Sequence, residues 1–163
     1  MDVAIRSLHL IAAAVWAGGL VFLGVAAQVA RRTIPDRERI VFFRTLGRRF
    51  AVVALGAAVV LVATGADMAS DNLASWGQLT DTGYGRELLA KIVLFALALT
   101  EAAVHSLVLG PRLGRIRGEL LERPGDPSLT AELRRTAALS GIVSALMLLQ
   151  TLAILVLAAD LVA

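Results

Sequence analysis

Four long apolar blocks alternate with short polar connections along the chain. Each block holds more than roughly 18 predominantly apolar residues, the length that an α-helix needs to cross the hydrocarbon core of a bilayer. The blocks predict membrane spans at about 3–29, 50–68, 85–110 and 136–159. Because the connections are short, we expect an all-α, integral membrane four-helix bundle with up-down-up-down topology, built as a single domain over residues 1–163.

Prolines and polar caps mark where the predicted helices begin and end. Pro35 separates the first span from segment 36–49, in which apolar residues recur at helical spacing between arginines. This pattern is typical of an amphipathic helix at the membrane interface, leading into the second span. We expect Pro111 to end the third span, and Asp126 or Ser128 to cap the last helix.

The distribution of positive charge predicts the orientation of the bundle. The net charge is +3, but the basic residues gather between apolar blocks rather than on a patch suited to nucleic acid, so we predict no nucleic-acid partner. Seven arginines follow the first span and six follow the third, whereas the middle connection carries only Arg86. Since cytoplasmic loops are enriched in Arg and Lys, both termini are predicted to lie outside, on the periplasmic face of the inner (plasma) membrane.

The absence of cysteine restricts the chemistry that the chain can perform. Disulfides, thiolate metal sites and thiol redox reactions are excluded. A bound metal would therefore need ligands from histidine, methionine, carboxylate or the backbone.

One group of unusual polar residues is predicted in the outer leaflet. His9 lies within the first span, where an unpaired imidazole is costly unless it faces protein or a ligand. Counting 1.5 Å per residue places Met68 and Lys91 at about the same height. Trp16 follows His9 by two helical turns on the same stripe, where it is either core or a wall for a planar cofactor.

A second group is predicted in the inner leaflet. Glu101 and His105 are four residues apart, so they share a helix face and can hydrogen-bond, as a proton relay, an ion site or a structural contact between helices. This group lies roughly 20 Å along the axis from His9, which prevents His9 and His105 from binding one metal within a protomer. His9 with Met68, or two copies of one histidine across a dimer, remain as ligand pairs.

Small residues on the first span indicate close helix packing. Gly18 and Gly19 are adjacent, and small residues in a membrane helix allow another backbone to approach closely. These positions predict a tight bundle and a possible homodimer interface.

The chain resembles the membrane domain of the CopD copper-resistance family. The stretches that carry the resemblance are "LHLIAAAVWAGGLVFL" (8–23), "FRTLGRRFAVVALGAAVVLVATGADM" (43–68), "TGYGRELLAKIVLFAL" (82–97) and "LGPRLGRIR" (109–117). The resemblance implies uptake of copper across the inner membrane, or its supply through that membrane. A weaker likeness to integral-membrane protoporphyrinogen oxidase, carried by His9, Trp16 and Lys91, implies haem b.

Three functions remain open at this stage. In the first, copper binds at His9 and Met68 and passes toward Glu101 and His105. In the second, haem b binds with His9 as axial ligand and Trp16 and Lys91 beside it, for electron transfer or porphyrin oxidation, and the chain is an oxidoreductase. In the third, the chain is a structural or assembly subunit that binds neither ligand and is not an enzyme.

Overall fold

The computed structural model describes residues 2–75 and 77–160, with side chains up to Ala158, and this part of the chain is helical with short connections. The α-helices are α1 (Val3–Thr33), α2 (Asp36–Asn72), α3 (Gln78–Asp81), α4 (Gly83–Val104), α5 (Gly110–Glu122) and α6 (Pro127–Asp160). Four helical stretches are long and apolar enough to cross a membrane: Val3–Thr33, Asp36–Asn72, Gly83–Glu122 and Pro127–Ala158. The all-α membrane fold with four spanning helices is thus confirmed, and the position of the termini stays a prediction.

Helix α2 is longer than the second predicted span. Segment 36–49 does not form a separate interfacial helix but is the first part of α2, which runs unbroken from Asp36 to Asn72. Pro35 occupies the N-cap, and the acidic residues Asp36 and Glu38 lie in the first turn, where they complement the helix dipole. Because no proline interrupts the sequence after position 35, helical hydrogen bonding continues into the apolar span.

The third span continues past Pro111, which was expected to end it. A π-helix, His105–Leu109, joins α4 to α5, and the backbone N–H of Gly110 donates to the carbonyl of His105. A proline removes one backbone donor and crowds the carbonyl four residues earlier. The wider π turn accommodates that crowding, so the helix extends to Glu122.

The centre of the bundle is one apolar cluster contributed by the four spanning helices. Trp16, Ala58, Ala98 and Met147 are buried there. The Trp16 ring meets the Phe95 ring edge to face, with 5.4 Å between centroids. Alanine on two of the helices allows the backbones to approach the large indole. Many large apolar side chains face outward, as a bilayer environment requires.

The adjacent glycines of α1 have different surroundings. A Cβ at Gly19 would overlap the end of the Phe50 ring on α2, whereas a Cβ at Gly18 would meet no atom within 4 Å. Gly19 therefore serves packing within the protomer. The predicted homodimer interface stays a prediction, and Gly18 is the one of the pair that remains exposed for it.

Candidate functional site

His9 is held by a hydrogen-bond chain that links α1 to α2. Its Nδ1 atom lies 2.7 Å from Oγ1 of Thr64. The Thr64 hydroxyl lies 2.6 Å from the carbonyl oxygen of Val60, to which it can donate its single proton. With that proton committed, Thr64 can only accept from His9, so Nδ1 carries the imidazole proton. The lone pair of His9 then resides on Nε2.

Gly65 and the charge of Lys91 lie beside His9, and Met68 lies one helical turn from its partner Thr64. A Cβ at Gly65 would lie 3.5 Å from Cε1 of His9, so glycine leaves space beside the ring. Met68 is half-buried and follows Thr64 by four residues, one turn farther along the same face of α2. Lys91 on α4 lies within electrostatic range of the imidazole. We refer to His9, Thr64, Met68 and Lys91 as the outer station, after the predicted orientation.

Trp16 lies deeper than the outer station and belongs to the core. Its side chain is only 5% exposed. The indole Nε1–H donates to Oγ1 of Thr151 at 3.3 Å, and Thr151 donates in turn to the carbonyl of Met147 at 2.8 Å. Both the ring and its polar atom therefore have partners within the chain.

The hydrogen bond that the spacing of Glu101 and His105 allows does not form, because each side chain bonds to α6 instead. Nε2 of Gln150 donates to Oε1 of Glu101 at 3.0 Å. Nε2 of His105 lies 3.1 Å from Oγ of Ser140. Glu101 and His105 lie on one face of a single helix. A side chain from the packed neighbouring helix can approach either of them more directly than they can approach each other. The second polar group thus consists of two separate interhelical pairs.

The partner of Glu101, Gln150, was not predicted from the sequence. A count along the helix axis places Gln150 nearer to His9 than to Glu101, because such a count ignores side-chain length. Glu and Gln each reach several ångströms from the backbone and so bridge residues at different heights. The only signal was that an amide and a carboxyl each occupy a predominantly apolar span.

His105 occupies a distinctive backbone position. It is the first residue of the π-helix, and its carbonyl accepts from Gly110. Single π turns inside α-helices are frequently found at functional sites, because they change the direction of side chains and disturb the regular bonding. His105 is half-buried, and we refer to His105 and Ser140 as the inner station.

The described residues contain no group of three or more His, Asp or Glu side chains arranged to hold a metal ion. The four long apolar helices define a multi-pass membrane protein, with a histidine in its first and third spans.

Residues 44–159 match the CopD family, described as copper resistance protein D. The match covers more than half of the chain, so the protein belongs to the CopD family, and the resemblance in the sequence is confirmed. It is a multi-pass membrane protein related to copper resistance. His9 and Trp16 precede the matched range. No curated protein and no solved structure matches the chain.

Proposed function

We propose that this protein handles copper in the inner membrane, taking Cu(I) at Nε2 of His9 for uptake or supply across the bilayer. The observation that carries the proposal is the hydrogen-bond chain from His9 through Thr64 to Val60. It orients the ring and keeps the proton on Nδ1, as the second shell of a metal-bound histidine commonly does. The family membership supports copper as the cargo.

Met68 is the proposed second ligand at the outer station. It lies one turn beyond Thr64 on α2, and a thioether is a favoured ligand of Cu(I). The charge of Lys91 near His9 disfavours a bound cation. A thioether ligand combined with a nearby positive charge suits transient capture of copper rather than permanent storage. A protein that transfers copper requires such a site.

His105 is the proposed receiving group on the inner side. It is the first residue of a π turn, a feature that is frequent at functional sites. The cluster around Trp16 and Met147 lies between the two stations, so the bundle is closed between them in this conformation. Transfer from His9 to His105 therefore requires the helices to separate around Trp16.

The packing of Trp16 gives the haem alternative no support. A porphyrin beside Trp16 needs a free ring face, whereas that side chain is buried among Ala58, Ala98 and Met147. The indole N–H is also engaged by Thr151. We therefore propose no role for haem in this protein.

Anaerobic titration of the purified protein with Cu(I), in competition with a chromogenic chelator, tests the proposal. We expect one site whose affinity falls at least tenfold in His9→Ala. Met68→Leu, which conserves volume but removes the thioether, is expected to weaken binding. Thr100→Val is the matched control, since Thr100 is an exposed intramembrane threonine whose hydroxyl bonds only its own helix.

The same samples distinguish the other functions. Equal affinity in wild type and His9→Ala would overturn the assignment of His9. A Soret band in the wild-type spectrum that is lost in His9→Ala would replace copper with haem. A protein that binds neither ligand would fit the assembly role.

A further inference from the structure

An incomplete pair of side chains joins α4 to α6 within the membrane. Gln150 donates one hydrogen bond to Oε1 of Glu101 at 3.0 Å. The other two oxygens of this pair, Oε2 of Glu101 and Oε1 of Gln150, are buried without a hydrogen-bond partner. Within the described residues, the only other buried side-chain atom in this condition is Oε2 of Glu87. Two of these three atoms thus lie in a single contact.

Both unpartnered atoms are acceptors when Glu101 is ionised. A carboxylate has no donor, so the Oε1 atom of Gln150 cannot be satisfied by it. Exchanging the amide N and O of Gln150 still leaves two polar atoms of the pair without a hydrogen-bond partner. A carboxylic acid has one O–H, and a proton on Oε2 of Glu101 can be donated to Oε1 of Gln150. One proton would therefore satisfy both atoms and close a ring of two hydrogen bonds.

The surroundings of Glu101 offer no cation to balance an anion. Glu101 forms no ion pair with any described residue, and segments 10–30, 50–66 and 136–158 of the other spans contain no titratable residue. On its own helix, His105 lies one turn away and bonds Ser140. Lys91 lies ten residues in the other direction, about 15 Å along the axis. An ionised carboxylate is costly in such an environment.

We propose that Glu101 and Gln150 form a proton-binding site at the contact between α4 and α6. The ligand is a single proton, held on Oε2 of Glu101 and shared with the amide oxygen of Gln150. Release of the proton breaks one of the two interhelical hydrogen bonds and leaves a charge between the helices, so protonation stabilises their contact. This site is independent of the copper proposed at His9.

Infrared spectroscopy of the full chain in lipid bilayers at neutral pH tests this site directly. Labelling the glutamate side-chain carboxyls with carbon-13 identifies glutamate bands. We expect a C=O stretch of a protonated glutamate in the wild type, which shifts in D2O and is absent in Glu101→Gln. Glu132→Gln is the control, because Glu132 is ion-paired with Arg112 outside the apolar part of α6 and is not expected to contribute to the band.

The partner is tested with Gln150→Leu. Loss of the amide removes the hydrogen bonds of the pair, so the carboxylic acid band is expected to move to higher frequency. A wild-type spectrum without a protonated glutamate band would overturn the proposal. This outcome is measured on the wild-type protein alone and so does not depend on whether a variant folds. A band that persists in Glu101→Gln, or is unmoved in Gln150→Leu, would also overturn it. Neither outcome bears on copper binding, which the titration measures separately.

Discussion

The imidazole of His9 and the hydroxyl of Thr64 meet at 2.7 Å, although 55 positions separate them in the sequence. The contact joins α1 to α2 close to their outer ends in the predicted topology. It also determines which ring nitrogen is free, because Thr64 donates its own proton to Val60. A threonine with no metal-ligand chemistry of its own thus becomes a positioning residue for the histidine.

Thr64→Val is therefore expected to weaken Cu(I) binding without removing the ligand. Loss of the hydrogen bond frees the ring to rotate and to exchange tautomers, and partners of this kind typically contribute about 10–100-fold to metal affinity. Competition titration with a Cu(I) chelator measures the change. Thr100→Val, which removes an equivalent hydroxyl bonded to the carbonyl of Ala96, is expected to retain wild-type affinity. Equal losses in the two variants would contradict the role of Thr64.

Gly19 is expected to be more sensitive to substitution than Gly18. A methyl group at Gly19 collides with the Phe50 ring, and overpacking of this kind costs about 1–3 kcal/mol. The methyl group of Gly18→Ala would meet no neighbouring atom, so only the higher helix propensity of alanine should change the stability. Thermal unfolding in detergent compares the two variants, with a lower midpoint expected only for Gly19→Ala.

A second substitution identifies the cause of that loss. Phe50→Ala removes the ring that the new methyl group would strike. The double variant Gly19→Ala/Phe50→Ala should therefore lose less stability than the sum of the two single variants. Strict additivity would contradict a direct collision between these residues.

The fold was largely predictable because a bilayer imposes strong rules on sequence. Four apolar stretches of sufficient length are visible by counting, and the structure has four corresponding helices. The ends of the helices were less predictable. A proline normally stops a helix, but one π turn accommodates Pro111, and no local sequence pattern predicts that turn.

The candidate site was predictable in its residues but not in its pairings. His9, Glu101 and His105 are conspicuous because polar groups in apolar spans are rare. Their partners depend on how the helices rotate and how far long side chains reach. The pairing of Glu101 with Gln150 and the contact of Gly19 with Phe50 therefore follow from the three-dimensional packing of the helices, which the sequence pattern does not specify.

The Asp126 carboxylate is expected to make the N-terminal end of α6 sensitive to acid. Hydrogen bonds from the Ser128 hydroxyl and from the backbone N–H groups of Leu129 and Ser128 hold the pKa of Asp126 below its usual value of 3.8. A carboxyl with a lowered folded-state pKa stabilises the fold above its unfolded pKa, and that contribution disappears as pH falls through the folded pKa. The helix cap should thus be intact at neutral pH and lost in strong acid.

Comparison of the wild type with Asp126→Ala measures this effect. The thermal midpoint of Asp126→Ala should be lower at neutral pH, and the difference should shrink as pH falls below about 4. Asp126→Asn is the control, because asparagine caps a helix without titrating. A difference between wild type and Asp126→Ala that is constant with pH would contradict a role for the carboxylate charge.

The predicted orientation can be tested at two matched threonines in a chain that contains no cysteine. Thr33 lies at the end of α1 beside the arginine-rich connection, and Thr80 lies in α3 on the opposite side of the bundle. Both are exposed, and both hydroxyls bond only groups within four residues of their own position. In intact spheroplasts, a membrane-impermeant maleimide should label Thr80→Cys but reach Thr33→Cys only after permeabilisation, since arginine-rich loops stay in the cytoplasm. The reverse labelling pattern would place both termini in the cytoplasm and move the His9 station to the inner face.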